Sequence, residues 1–61
     1  MSKICVVCGD AVVHEDLCTD SDAYPELCEQ ADMRGMDSLT ENGQAFVNGH
    51  VCSDACYYDM P

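Results

Sequence analysis

Cys5-Val6-Val7-Cys8-Gly9 near one end of the chain and Val51-Cys52-Ser53-Asp54-Ala55-Cys56-Tyr57 near the other decide how these 61 residues fold. Two sulfurs separated by two residues can reach one ion, and the glycine after them lets the backbone turn with positive φ. Cys52 and Cys56 are four residues apart, one helical turn, so both sulfurs can face the same way. A single ion held by Cys5, Cys8, Cys52 and Cys56 would tie the two ends together. A domain this short needs such a clasp, because it buries a modest share of its surface and is marginal on hydrophobic burial alone.

Working inward from the clasp, Ala11-Val12-Val13-His14 reads as a short strand leaving the knuckle, on its β-branched residues. Residues 15–41 carry most of the acidic side chains and read as an acidic helical insert. Tyr24, Leu27, Cys28, Ala31 and Gly35 recur at helical spacing, with Glu26, Glu29 and Asp32 on the other side, and Pro25 suits a first turn. The pattern predicts an amphipathic helix over 23–33 ending near Gly35. Asn42-Gly43 and Asn48-Gly49 are two-residue hairpin signals, the second flanked by Ala45-Phe46-Val47 and His50-Val51-Cys52. A last short helix is expected over 55–60, capped by Ser53 or Cys52, with Asp54 in its first turn and Pro61 at its end. Too short to persist alone, it needs Cys56 as a pin.

The order of knuckle, hairpin and ligand-bearing helix resembles a treble-clef zinc finger. Val51-Cys52-Ser53-Asp54-Ala55-Cys56-Tyr57 is similar to the F-C-S-x-x-C pattern of the TRASH, MYM and FCS-type fingers, whose first half is likewise a C-x2-C-G knuckle. The chain departs from them in having Val51 in place of the aromatic and a much longer stretch between the cysteine pairs. The expected fold class is therefore a small, single-domain, zinc-stabilised α+β unit over 1–61, with the inserted helix.

Zinc is the expected ion. Rubredoxin-like iron sites use two C-x2-C knuckles, whereas the second pair here is C-x3-C on a helix. Four thiolates close the coordination sphere and leave no position for water, which argues against hydrolytic catalysis at the metal. The alternatives are that these cysteines form disulfides or buried thiols, or that Cys5-x2-Cys8 is a redox pair, although redox pairs open a helix in a larger βαβ fold. His50, two residues before Cys52, could replace one sulfur. His14, Cys18 and Cys28, with His50 or a carboxylate, could build a second metal site; Cys18 and Cys28 could equally pair as a disulfide or stay free thiols. Asp20 and Asp22 lack the glycine and distal glutamate of a calcium loop. Met33, Met36 and Met60 with Tyr57 and Tyr58 could form an apolar patch or divide between core and surface.

Charge constrains the partners. Twelve acidic residues face only Lys3 and Arg34, for a formal net charge of −10. Such a surface repels phosphate backbones and anionic membranes. It suits a basic protein partner, including the basic groove of a nucleic-acid-binding protein, or it serves solubility alone. Met1-Ser2-Lys3 and the short apolar run after it do not read as a secretory signal, and no stretch approaches membrane-spanning length, so a reducing cytoplasm is the expected setting. The sequence thus points to a non-enzymatic, acidic zinc-binding protein acting through protein–protein contact. Metal handling through a second, labile site is the alternative, and a disulfide-stapled or thiol-redox module a further one.

Overall fold

The computed structural model describes residues 3–60. Met1 and Ser2, read above as part of a non-secretory start, and Pro61, read as the stop of the last helix, lie outside the described residues. Four helices follow one another: α1 (His14–Asp20), α2 (Ala23–Arg34), α3 (Glu41–Val47) and α4 (Asp54–Asp59), with a short 3-10 turn at Met36–Ser38 between α2 and α3. Helix α2 packs against α1, the 3-10 turn and α3, and α3 packs against α4.

The expected α+β architecture is overturned. Among the described residues there is no strand, only an isolated antiparallel bridge between Ile4 and Ala11. The N–H groups of Cys5 and Val12 donate to the carbonyls of Asp10 and Lys3, at 2.8 Å each, and pin that bridge around the knuckle. No second strand lies alongside residues 11–14, so their β-branched residues have no ladder to join, and His14 instead opens α1.

The hairpin expected at Asn48-Gly49 is also absent, and its place is taken by α3 and its C-terminal cap. Thr40 caps α3, its hydroxyl accepting the Gly43 N–H. At the other end the Gly49 N–H donates to the Phe46 carbonyl at 3.0 Å and the His50 N–H to the Ala45 carbonyl at 2.9 Å. These two bonds are the Schellman pattern, with Gly49 at φ 84° in the left-handed region. The Asn-Gly pair supplies positive φ in both a hairpin turn and a helix C-cap, which is why the dipeptide alone misdirects.

Helix α2 matches the expected segment and stops at Gly35, φ 91°, whose N–H returns to the Ala31 carbonyl. Its first turn is satisfied from two residues upstream, where the Ser21 hydroxyl accepts the Tyr24 N–H at 2.8 Å. Helix α4 begins after Ser53, whose hydroxyl accepts the Cys56 N–H, as expected from the sequence.

The core is small and aromatic. Phe46 and Val51 are fully buried, Leu17 is 1 % exposed, and Cys5 and Tyr24 complete the cluster. Rings run through it in sequence: His14 meets Tyr24 edge-on at 5.9 Å, Tyr24 meets Phe46 at 5.3 Å, and Phe46 stacks on Tyr57 at 4.9 Å. Each pair joins two helices, so the ladder crosses α1, α2, α3 and α4 in turn. Such ring pairs each add about 0.5–1.5 kcal/mol beyond simple area burial. Of the residues considered for an apolar patch, Met33 and Tyr58 are exposed, while Met36, Tyr57 and Met60 are half-buried.

Candidate metal centre

The knuckle turn delivers the first two sulfurs. The Gly9 N–H donates to the Cys5 carbonyl at 3.0 Å, with Gly9 at φ 81°, which closes the turn tightly enough for Cys5 and Cys8 to point the same way. The Val6 N–H donates to the His50 carbonyl at 2.8 Å and sets the knuckle against the segment leading into α4. That segment contributes Cys52, and the first turn of α4 contributes Cys56. The sulfurs of Cys5, Cys8, Cys52 and Cys56 all lie within 4.8 Å of one another and could hold a metal ion. Cys8 Sγ is 3.2 Å from Cys52 Sγ, which in turn is 3.6 Å from Cys56 Sγ. Four sulfurs at about 2.3 Å from a tetrahedral centre stand about 3.8 Å apart, so these separations suit one ion. They far exceed a disulfide bond of about 2.05 Å, and all six cysteines are free.

The thiols of the centre are not electrostatically equivalent. Burial pushes the Cys5 thiol up, but the N–H groups of Cys8, Val7 and Cys52 outweigh that and bring it down to about 6. Two of these donors are visible as contacts to Cys5 Sγ, from Val7 at 3.4 Å and Cys8 at 3.5 Å. Hydrogen bonding to the charged form is what holds a buried thiolate. Cys52 moves the other way, raised to about 12 by burial and by the neighbouring sulfurs of Cys8, Cys5 and Cys56. Sulfurs that repel one another's negative charge in this way are a set whose charge a cation would neutralise.

The burial is uneven. Cys5 is buried, Cys52 and Cys56 are half-buried, and Cys8 is exposed beside a shallow cleft of about 510 Å³ lined by Val7, Ala55, Tyr58 and Asp59. His50 does not belong to the four-sulfur group: its side chain is exposed, and its contribution is the backbone carbonyl that receives Val6. His14 and Cys18 lie together on α1, with His14 Nδ1 3.5 Å from Cys18 Sγ, and Cys28 lies on α2 beside the Tyr24 hydroxyl. Among the described residues, the four cysteines are the group of three or more ligand-bearing side chains close enough to share an ion.

Asp54 is the residue whose role the sequence did not disclose. Its carboxylate accepts from the Ser21 hydroxyl and from the Asp22 N–H, the latter at 2.9 Å, and so ties the α1–α2 junction to the helix that carries Cys56. Burial works against its charge, but Ser21 and the N–H groups of Asp22 and Ala23 hold its carboxyl below the usual carboxylate range. Among the described residues, every other Asp and Glu side chain is exposed. Among the described residues, no helix is long and apolar enough to cross a membrane. Comparison of the chain with protein-family models, with curated proteins and with solved structures gives no match.

Proposed function

We propose that the chain is a non-enzymatic zinc-binding domain in which zinc holds the fold and an acidic surface docks on a basic protein partner. The observation that carries this reading is the convergence of four cysteine sulfurs from opposite ends of the sequence. An all-sulfur set favours zinc among the common divalent ions, and its closure leaves the metal no free position for a substrate or water. Free thiols in this number suit a reducing compartment such as the cytoplasm.

The docking half of the reading is supported by charge. With Asp54 engaged in the fold, seven of the eleven exposed Asp and Glu side chains lie on or between α1 and α2, in a chain of net charge −10. Such a surface steers cationic partners and repels nucleic acid. Val6 of the knuckle and Tyr58, which lines a cleft with Val7 and Cys8, are exposed and offer apolar contact.

Elemental analysis of the purified protein, with circular dichroism before and after a chelator, tests the first half. One zinc per chain and loss of helical signal on its removal are expected; full helicity after complete metal removal would overturn it. Titration with a lysine-rich peptide across a salt series tests the second half, with binding expected to weaken steeply as salt rises. Affinity unchanged from low to high salt would count against an electrostatic surface.

A further inference from the structure

We propose a second metal site on α1, formed by His14 Nδ1 and Cys18 Sγ, which takes a thiophilic divalent ion of the zinc class in exchangeable form. The two side chains are one helical turn apart and their ligand atoms are 3.5 Å apart. A nitrogen at about 2.0 Å and a sulfur at about 2.3 Å from a tetrahedral ion subtend about 3.5 Å, so the pair already has the bite of a chelate. Both residues are exposed, so an ion can reach them without opening the core. The imidazole is also oriented from behind, because its ring meets the edge of the buried Tyr24 ring at 5.9 Å and 89°.

Burial and the Cys28 thiol on α2 push the Tyr24 phenol up to about 12, and Cys18 adds to the effect. Cys18 and Cys28 therefore both bear on Tyr24, the residue whose ring His14 packs against. Imidazole with thiolate suits zinc, cobalt or cadmium and disfavours magnesium and calcium, which take oxygen ligands. The net charge of −10 raises the local concentration of any cation around α1.

Binding exchanges the Cys18 S–H bond for a sulfur–metal bond. The proton leaves to solvent, and neutral His14 donates its Nδ1 lone pair. Two protein ligands leave the remaining positions to water or to a ligand from another molecule. This openness distinguishes the site from the four-sulfur centre and makes its ion exchangeable. Without a metal, the same 3.5 Å contact is a thiol–imidazole hydrogen bond, and a titration separates the two.

Protein carrying one equivalent of zinc is titrated with Co(II), following visible and near-ultraviolet absorption. The expected result is one further equivalent of tetrahedral cobalt with the charge-transfer band of a single thiolate. His14→Ala and Cys18→Ser should each weaken it at least about tenfold, as expected for loss of one arm of a chelate, with zinc content unchanged in both and circular dichroism unchanged in Cys18→Ser. His50→Ala should leave it intact. No cobalt beyond the zinc, cobalt without a sulfur band, or binding that survives both α1 variants would overturn the proposal. A cobalt spectrum of four thiolates, lost in Cys52→Ser and kept in Cys18→Ser, would report an unfilled four-sulfur centre and would likewise overturn it.

Discussion

Replacing Asp54 with alanine removes the carboxylate that joins the α1–α2 junction to α4. Two hydrogen bonds go with it, from the Ser21 hydroxyl and the Asp22 N–H. A hydrogen bond to a charged group is worth about 1.5–3 kcal/mol when shielded. Asp54 is half-buried, so solvent screening reduces each bond to about 1 kcal/mol, or about 2 kcal/mol for the pair. Ser21, 8 % exposed, keeps its bond from the Tyr24 N–H but loses the acceptor for its own proton. In a domain of this size 2 kcal/mol lowers Tm by about 8–16 °C. The assay is thermal and urea unfolding by circular dichroism, with free zinc buffered at the same level for both proteins, because ligand concentration shifts apparent stability. The neutral Asp54→Asn keeps one acceptor and should cost about half as much. The pH behaviour follows from the direction of the shift. A carboxyl held below its unfolded value of about 3.9 contributes stability that is fully present above that value and lost as pH falls through the depressed folded value. The gap between wild type and Asp54→Asn should therefore be constant between about pH 6 and 8, where the carboxylate is ionised in both states. A Tm for Asp54→Ala within about 2 °C of wild type would refute the latch, as would a gap that changes across that neutral range.

Other substitutions separate metal, cap and core. Cys8 is exposed, so Cys8→Ser removes no buried contact; it should lower zinc affinity and the helical signal, while Cys18→Ser, equally exposed, leaves the helical signal unchanged in metal-buffered circular dichroism. Gly49→Ala forces an L-residue to φ 84° and brings its Cβ within 2.8 Å of the flexible Lys3 Cδ, so the backbone dominates and about 1–2 kcal/mol should be lost in urea unfolding. Phe46→Ala empties the centre of the ring ladder and should cost about 3–5 kcal/mol, enough to leave little folded protein unless zinc is in excess.

The parts of the fold legible in the sequence are those whose chemistry is local. Gly9 was expected to adopt positive φ, Gly35 to end a helix, and Ser53 to cap one, and the backbone shows each. Helix α3 was hidden because its C-cap uses the same Asn48-Gly49 chemistry as a hairpin, and only Thr40, three residues before Gly43, marked its start. Helix α1 has no capping side chain, and Leu17 is its one buried residue, so it carries no apolar periodicity to read. Its formation depends on Leu17 joining Phe46 and Val51 in the core, residues more than twenty-five positions further along the chain. Asp54 was legible as a favourable charge in a first turn. Its pairing with Ser21 and Asp22 spans more than thirty positions of chain and becomes visible only in three dimensions.

The four-sulfur centre was legible because its two halves are short, regular motifs. Its coupling to the core comes from side chains between and beside them. Cys5 is both a metal-capable sulfur and a member of the buried cluster with Phe46 and Val51. Cys56 is followed by Tyr57, which stacks on Phe46, and Cys52 is preceded by the fully buried Val51. A metal at this centre therefore fixes the two chain segments that cover one end of the ring ladder. Without it, the knuckle is held against the segment leading into α4 by the packing of a few side chains, the Val6–His50 backbone bond and the contacts of Cys52 with Cys5 and Cys8. Helix α4 has six residues, far below the length at which a helix persists alone. Metal removal should thus release α4 and the knuckle first. The contacts of α2 with α1 and α3 do not pass through the centre, so α2 should be the last helix to melt, a sequence that amide hydrogen exchange on chelated protein can follow residue by residue.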